Sequence, residues 1–210
     1  MKLTLFPSLI AIAALAACGG STGDDGDGSE MGIISTGILT DVEVPSNEDL
    51  EGLPADVQAL VNDFVTTNES ITQTETRPSG TATYTGDYGF GFDTADNDTV
   101  VVGDMTMSAN FDLGTINGTV TNLSGQSEGM ALTISNDLTV LAAIDNVSDI
   151  AGTVAGDVEL EGETYSLSAS IDGAFGGTNA ETALGTTMGE VTNPDNTVDG
   201  FSGYFLLDRD

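Results

Sequence analysis

Hydrophobic and polar residues alternate with a period of two from residue 79 almost to the last residue of the chain. In one clear stretch, Met105, Met107 and Ala109 alternate with Thr106 and Ser108. A period of two is that of a β-strand with one buried and one solvent-facing side, the usual arrangement in antiparallel sheets. The alternation therefore predicts an antiparallel sheet for this part of the chain.

Turn signals divide the alternating region into eight runs. We predict strands at 80–90, 99–112, 115–123, 130–140, 150–161, 164–175, 183–191 and 200–207. Eight strands joined mostly by hairpins are typical of an up-and-down barrel, whose interior side chains can fill. We therefore predict an all-β fold, an eight-stranded antiparallel up-and-down soluble β-barrel over residues 79–210.

One hairpin signal conflicts with this count. Asn117-Gly118 is the dipeptide most typical of a two-residue hairpin turn, whereas the strands above turn at 112–114. A turn at 117–118 would lower the number of strands. A transmembrane barrel is a further alternative, but its outward faces would carry Thr, Ser, Asn and Asp instead of lipid-compatible residues.

The amino terminus has the pattern of a secretory signal. Lys2 precedes an apolar run that ends in Leu15-Ala16-Ala17-Cys18, and the run is too short to span a bilayer. This ending resembles the bacterial lipobox, in which the Cys becomes the lipid-modified first residue. We predict a lipoprotein signal peptide at 1–17 and lipidation of Cys18, which would anchor the protein to the outer membrane. An ordinary signal peptide with an incidental Cys is the alternative.

Two further segments precede the barrel. Residues 18–47 begin with a Gly-, Ser- and Asp-rich stretch that predicts a lipid-anchored flexible linker. Residues 48–78 contain an apolar stripe with helical spacing, which predicts a short amphipathic helix and a connection. Such a stripe usually packs on a core, here as a lid on one end of the barrel, although a partner-binding helix is an alternative. The stripe consists of Val57, Leu60, Val61, Phe64 and Val65.

Charge excludes several classes of function. The chain has 3 Lys and Arg, 34 Asp and Glu and no His, and its net charge is −31. Nucleic-acid binding requires basic residues to displace counterions, so we predict no nucleic-acid partner. Without His, the only scheme open to an enzyme is a carboxylate pair, and no spacing identifies one. We predict no enzyme activity, no catalytic residues, no metal site and no cofactor.

Two groups of residues have alternative interpretations as ligand sites. The cluster Asp93-Thr-Ala-Asp96-Asn97-Asp98 contains enough carboxylates for a calcium site, although most acidic clusters are solvated surface. Tyrosine can ligate haem iron, but buried strand tyrosines are the simpler interpretation. The four tyrosines are Tyr84, Tyr88, Tyr165 and Tyr204.

Three motifs resemble those of the transferrin-binding protein B-like surface lipoproteins. They are Gly80-Thr-Ala-Thr-Tyr84-Thr-Gly86, then Gly103-Asp104-Met-Thr-Met-Ser-Ala-Asn-Phe111 with Ile116-Asn-Gly118, and finally Phe175-Gly-Gly177-Thr178-Asn179-Ala180-Glu181-Thr182-Ala-Leu-Gly185. The third motif departs from the family signature at Thr178, where the family has Pro, and at Thr182, where it has a second Glu. For Asn179-Ala180-Glu181 we favour a role in fixing a turn over ligand contact.

The resemblance implies an eight-stranded barrel on a lipid anchor, in a family whose members bind host iron carriers, haem or complement regulators. Two functional hypotheses follow for this chain. In the first, it is a cell-envelope lipoprotein whose barrel binds a host protein or small solute, in a role such as iron or haem acquisition. In the second, it is a structural or accessory envelope lipoprotein with no ligand. The ligand-binding residues are not predicted.

Overall fold

The computed structural model describes residues 32–34, 36–40, 42–45, 50–93, 98–127, 130–160 and 162–210. The predicted signal peptide and Cys18 lie outside these residues. Two short strands, β1 (Gly32–Ile34) and β2 (Val42–Val44), precede helix α1 (Ala55–Ser70). The strands that follow are β3 (Thr81–Asp93), β4 (Asp98–Asn110), β5 (Thr115–Ser127), β6 (Met130–Ser135), β7 (Leu138–Asp145), β8 (Asp149–Leu160), β9 (Glu163–Gly176), β10 (Thr182–Thr192) and β11 (Val198–Arg209).

The strands β3 to β11 form a closed ring. Consecutive strands pair antiparallel from β3 to β5 and from β8 to β11. Strands β6 and β7 share one position, because both lie between β5 and β8. The pairing of β11 with β3 closes the sheet. The predicted eight-stranded antiparallel β-barrel is therefore confirmed.

The turn between β4 and β5 lies at 111–114, so the predicted turn at 112–114 is confirmed. Asn110 holds it, because its carbonyl accepts a hydrogen bond from Gly114 N at 2.8 Å and its side-chain Oδ1 accepts one from Leu113 N at 3.0 Å. Gly114 has a φ of 67°, which glycine adopts without strain. The alternative turn at Asn117-Gly118 is wrong, because both residues are paired within β5.

The predicted fourth strand at 130–140 needs a correction, since the structure divides it into β6 and β7. The break falls at Asn136, whose φ of 76° is left-handed, a conformation that Asn tolerates better than most residues. At the same level, β5 has a left-handed residue at Asn122 with a φ of 52°. The register between β4 and β5 also shifts there, between Val102 and Asp104. Irregularities of this kind bend strands, so three neighbouring strand positions bend together.

Inward-facing side chains from all eight strand positions fill the barrel. One of the largest is Phe205, which is fully buried. A Cβ at Gly185 would lie 2.4 Å from the Phe205 ring, and one at Gly173 would lie 2.9 Å from it. The two glycines therefore provide the space that the ring occupies.

Helix α1 packs on the outside of the barrel. Its stripe is buried at Val57, Leu60, Val61 and Phe64 and half-buried at Val65, which confirms the predicted packing. The helix contacts mainly β11 and β3, so the expectation of a lid on a barrel end is wrong. The outward faces of these strands and their neighbours are apolar here, with residues such as Leu184, Tyr204 and Leu206 in the same cluster. Within the described residues, no helix is long and apolar enough to span a membrane.

The predicted flexible linker needs a correction at its end. Residues 32–34 and 42–44 form the β1–β2 hairpin, and Ile34 is buried in the cluster beneath α1. Asn68 of α1 is fully buried and fixes the loop of this hairpin. Its Oδ1 accepts a hydrogen bond from Leu39 N at 2.8 Å, and its Nδ2 donates to Leu39 O at 3.0 Å. Apolar side chains near the end of the predicted linker thus attach this segment to the barrel.

The connection from α1 to β3 crosses one end of the barrel, which we call the closed end. The turns at 111–114, 146–148 and 177–181 form this end. Thr74 N donates to Phe175 O at 3.0 Å, and Thr74 Oγ1 donates to Gly177 O at 2.8 Å. Arg77 donates to Ile144 O at 2.8 Å and to Asn146 O. These bonds link the connection to two hairpins, β7–β8 and β9–β10.

Candidate functional site

The interior of the barrel is the first place to consider for a ligand, and the hydroxyls of its two fully buried tyrosines are already engaged. The Tyr88 hydroxyl lies 2.9 Å from Thr187 Oγ1, and both residues are fully buried. The Tyr84 hydroxyl donates to Ala180 O at 2.6 Å. On the outside of the barrel, Tyr204 donates to Glu43 O. These three tyrosines join strands, turns and the β1–β2 hairpin to one another.

The hydroxyls of these three tyrosines are used in hydrogen bonds within the protein and stay protonated. Burial raises the pKa of Tyr84 to about 12, against a smaller lowering by the Arg209 charge. Burial also raises the pKa of Tyr88 and of Tyr204, and the charge of Glu43 adds to the latter. Tyr165 is half-buried and packs its ring 6.0 Å from that of Phe92. The arrangement favours buried structural tyrosines.

A cleft lies between α1 and the barrel, but it is too small for a ligand. Its volume is about 20 Å³, which holds roughly one water molecule. Its lining is apolar and includes Leu60 and Val61 of α1 and Gly89 and Tyr204 of the barrel. A cavity of this size is a small packing defect in the apolar cluster beneath α1.

Four carboxylates converge where α1 lies beside β3 and β4. Asp87 and Asp104 are direct cross-strand partners. The pKa of Asp87 is raised, first by burial and then by the charges of Asp104, Asp56 and Asp63. Asn122 Nδ2 donates to Asp104 Oδ2 at 2.6 Å. Like charges directly opposite each other on paired strands are unfavourable, so this cluster opposes the packing of α1 on the barrel.

We expect Asp87→Asn to raise the melting temperature at pH 7 by about 2 °C. Because the pKa of folded Asp87 is raised, its ionisation costs stability as the pH rises through that pKa, and the cost is absent below the unfolded pKa. Wild type and variant should therefore melt together near pH 3 and diverge towards pH 7. Thermal unfolding followed by circular dichroism would measure this. Glu69→Gln, at an exposed position of α1, is the control, and a lower melting temperature for Asp87→Asn at pH 7 would contradict the argument.

Metal binding has little support among the described residues. No group of three or more His, Cys, Asp or Glu in this part of the chain is arranged to hold a metal ion. The candidate calcium cluster at 93–98 lies largely outside the described residues, which omit 94–97. The calcium alternative at that loop is therefore untested.

The turn containing Asn179-Ala180-Glu181 is held through its backbone. Ala180 has a left-handed φ of 55°, and Gly177 has a φ of 84°. Besides the bond from Tyr84 to Ala180 O, Arg209 Nη1 donates to Asn179 O at 2.7 Å and Arg209 N donates to Glu181 O at 2.9 Å. Glu181 N in turn donates to Gly176 O at 2.9 Å. Backbone hydrogen bonds thus fix this turn at the closed end, in line with the role in fixing a turn that the sequence favours.

At the opposite end of the barrel, the turn between β10 and β11 is short and polar. Asp195 Oδ1 accepts hydrogen bonds from Thr197 N at 2.9 Å and from Thr197 Oγ1 at 2.6 Å, and these bonds lower the pKa of Asp195. Asn193 Nδ2 donates to Thr197 Oγ1 at 2.9 Å. The polar groups of this turn largely satisfy one another.

The outer face of β5, β7 and β8 carries an exposed apolar surface, which we call the β7 patch. Leu141 of β7 is 56% exposed. It lines a shallow open depression together with Thr115, Ala143 and Ala151. The patch lies on the side of the barrel away from α1, because α1 covers β3 and β11.

The sequence contained a signal for the β7 patch that the strand analysis did not use. In β7, Leu138, Val140 and Ile144 face inward and are buried. Leu141 falls out of this alternation, since it follows Val140 directly and must face outward. The other outward residues of β7 are polar or small. A large aliphatic residue among them is an anomaly that can be read from the sequence.

Part of this chain is similar to solved structures of other proteins. No family model matches the sequence, and no curated protein matches it. One matching structure is a mutant of Transferrin Binding Protein B from Haemophilus parasuis Hp5, which is 14% identical with a TM-score of 0.48. Another is the isotype 1 Transferrin binding protein B from serogroup B Neisseria meningitidis, which is 16% identical with a TM-score of 0.41. Each match covers 66% of this chain and 28% of the other, so the chain spans about a quarter of their length.

Proposed function

We propose that this protein is a cell-envelope lipoprotein whose barrel is a surface binding module for a host protein, with iron or haem acquisition as its setting. In this proposal the signal peptide at 1–17 is removed, and a lipid on Cys18 anchors the chain to the outer membrane. Residues from 18 to the β1–β2 hairpin tether the barrel, α1 and its connection at 48–78 brace it, and the barrel at 79–210 binds. The chain is proposed to act without catalysis.

The observation that carries the proposal is the exposed β7 patch, and the filled interior of the barrel decides which kind of partner such a module can hold. Eight strands can enclose one small ligand or pack their side chains against each other, and here buried aromatic and aliphatic residues occupy the lumen. A partner must therefore be contacted on the outer surface or at the turns. This favours a protein over the small solute that the sequence left open.

The lipid anchor and the charge support a role at a membrane surface. A net charge of −31 gives the barrel no electrostatic attraction to an anionic leaflet, which requires polybasic segments. Attachment therefore depends on acyl chains, and stable attachment takes more than one of them. The sequence Leu15-Ala16-Ala17-Cys18 provides the site at which such chains are added in bacterial lipoproteins.

Cys18→Ala tests the anchor. We expect the wild-type protein to sediment with the envelope fraction and to incorporate labelled palmitate, and we expect the variant to lose the label and to appear in the soluble fraction. Persistent membrane integration of the variant would contradict a lipid-tethered barrel. Ser21→Ala, which leaves Cys18 in place, is the matched control.

Exposure and binding are tested on intact cells and on the purified chain. Protease added to intact cells should remove the barrel if it faces outward, and protection of the barrel would overturn a host-protein partner. The purified protein should then retain transferrin or a haem protein at micromolar concentration, whereas retention of neither would argue against iron or haem acquisition.

The second candidate is a structural or accessory envelope lipoprotein with no ligand. The filled lumen and the short polar turn at 193–197 favour this candidate. The exposed β7 patch opposes it, because a protein without a partner gains nothing from an apolar surface in water. Loss of partner retention on changing the β7 patch would decide for the binding module.

A further inference from the structure

We propose that the β7 patch is the docking surface of the barrel, and that its partner is a basic protein segment that places an apolar side chain beside Leu141. This inference rests on the proposed function and names the partner chemistry for it. It follows from three features of the described residues, which are the position of Leu141, the shape of the surface around it and the charges at its border.

Leu141 is the first feature. Its cross-strand partners are Asn117 of β5 and Thr153 of β8, and both are exposed polar residues. An outward leucine between two polar neighbours gains little by packing within its own sheet. Its side chain is therefore available to a partner, and burying a leucine of this kind is a strong source of binding energy.

The surface around Leu141 is the second feature. Thr115, Ala143 and Ala151 lie in one row across β5, β7 and β8, and all three have small side chains. The row forms the floor of the depression, with Leu141 beside it. Because the depression is open and shallow, a small molecule would remain largely in water there, whereas a protein can cover it.

The border of the patch is the third feature. At the closed end, the turn after β4 carries Leu113, which is 74% exposed, and the turn after β7 carries Val147, which is 37% exposed. Each of these residues has an exposed carboxylate nearby in sequence. Asp112 precedes Leu113 in the turn after β4, and Asp145 ends β7 two residues before Val147.

Arg77 places one positive charge at this border. Its guanidinium donates to the carbonyls of Ile144 and Asn146, which belong to the β7–β8 hairpin. Lys2 and Arg209 are the other basic residues of the chain. Lys2 lies in the predicted signal peptide, and Arg209 bonds to Asn179 O. The carboxylates of Asp112 and Asp145 outnumber the Arg77 guanidinium, so the border keeps a net negative charge that attracts a basic partner and repels an acidic one.

The test uses synthetic peptides as probes with the purified full chain. The probe is acetyl-KKFLKK-amide, with acetyl-KKGSKK-amide lacking the apolar pair and acetyl-EEFLEE-amide reversing the charge. We expect saturable binding of the first peptide alone, with backbone amide shifts in NMR confined to β5, β7 and β8. Binding should weaken as salt rises, because surface charges are screened.

Two variants locate the site. Leu141→Ser should weaken the binding of acetyl-KKFLKK-amide by about tenfold or more, as expected for loss of one buried leucine contact. Val198→Ser is the matched control, because Val198 is 53% exposed in β11, and it should leave binding unchanged. Circular dichroism of both variants would confirm that each is folded.

Several outcomes would overturn the inference. Equal binding of the peptide that lacks Phe and Leu would show a purely electrostatic surface, and equal binding by Leu141→Ser would place the site elsewhere. If none of the three peptides bound, a basic segment would be excluded as the partner. Self-association of the wild type that Leu141→Ser abolishes would assign the patch to a second copy of the chain. Failure of the proposed function is distinct, since protease protection on intact cells would refute it while peptide binding by the purified chain persisted.

Discussion

Phe205→Ala is expected to lower the free energy of unfolding by about 4–5 kcal/mol, in the upper half of the range for truncated aromatic residues. Phe205 is fully buried, and its ring lies against Gly185 and Gly173. These residues have no side chains that could move into the vacated space, and cavities that cannot collapse cost the most. Urea unfolding at pH 7 would measure the change as a lower midpoint at an unchanged slope.

A double-mutant cycle tests the reason for this cost. Gly185→Ala alone should destabilise the barrel by about 1–3 kcal/mol, because its Cβ would lie 2.4 Å from the ring of Phe205. In the Phe205→Ala background that clash is gone, so the cost should fall by at least about 1 kcal/mol. It should not vanish, since the Cβ would also lie 2.6 Å from Asp172 O.

Gly200→Ala is the control for the cycle. A Cβ at Gly200 meets nothing within 4 Å, so this substitution should change stability little in either background. Additive effects of Gly185→Ala and Phe205→Ala would contradict the view that the two glycines exist to accommodate the ring.

Phe64→Ala is expected to cost about 3–5 kcal/mol of packing between α1 and the barrel. Phe64 is fully buried beneath the helix, and its ring centroid lies 5.1 Å from that of Tyr204. Since α1 contacts the outside of a closed sheet, the loss should affect the helix without opening the ring of strands. Hydrogen exchange should show α1 amides losing protection while β8 and β9 amides keep theirs.

Val65→Ala is the matched control for Phe64→Ala. Val65 is the next residue in the helix and only half-buried, so its truncation should leave α1 protected. Equal loss of protection in α1, β8 and β9 on Phe64→Ala would show that helix and barrel unfold as one unit, contrary to this expectation.

The strands were predictable because one side of each strand is buried and the other faces water. The predicted strand at 164–175 is β9, Glu163–Gly176, and its inward Leu167, Ala169 and Ile171 are buried. Where one face alone is buried, the alternation fixes both the strand and its orientation. The bends were harder to predict. Neither Asn122 nor Asn136 stands next to a Gly or Pro that would signal a turn, and their left-handed conformations depend on neighbouring strands.

The packing of α1 on the side of the barrel had a signal that went unused. From Phe201 to Leu207, β11 has aromatic or aliphatic residues on both faces, and strands covered on both faces show nearly continuous apolar runs. The β1–β2 hairpin had a weaker signal, since its position depends on Asn68, which is distant in sequence. A hairpin of two three-residue strands is marginal without such an attachment.

The candidate site was predictable only in part. The sequence predicted no ligand-binding residues, and its alternative calcium site at Asp93–Asp98 lies mostly outside the described residues. The β7 patch needs the pairing of β5, β7 and β8, because small residues from three strands become one floor only through their register. Leu141 alone is a single anomaly that sequence analysis can note without assigning it a surface.

The pairing of β3 with β11 has a consequence for the order in which the chain can fold. Thr85 and Asp210, which are hydrogen-bonded, lie 125 positions apart. A chain that emerges amino terminus first therefore holds β3 with one open hydrogen-bonding edge until its last strand arrives. Open edges invite pairing with other chains, and contacts this distant in sequence form slowly. The short time between emergence of β3 and arrival of β11 is thus when this protein is most exposed to aggregation, and when a folding helper would have most to protect.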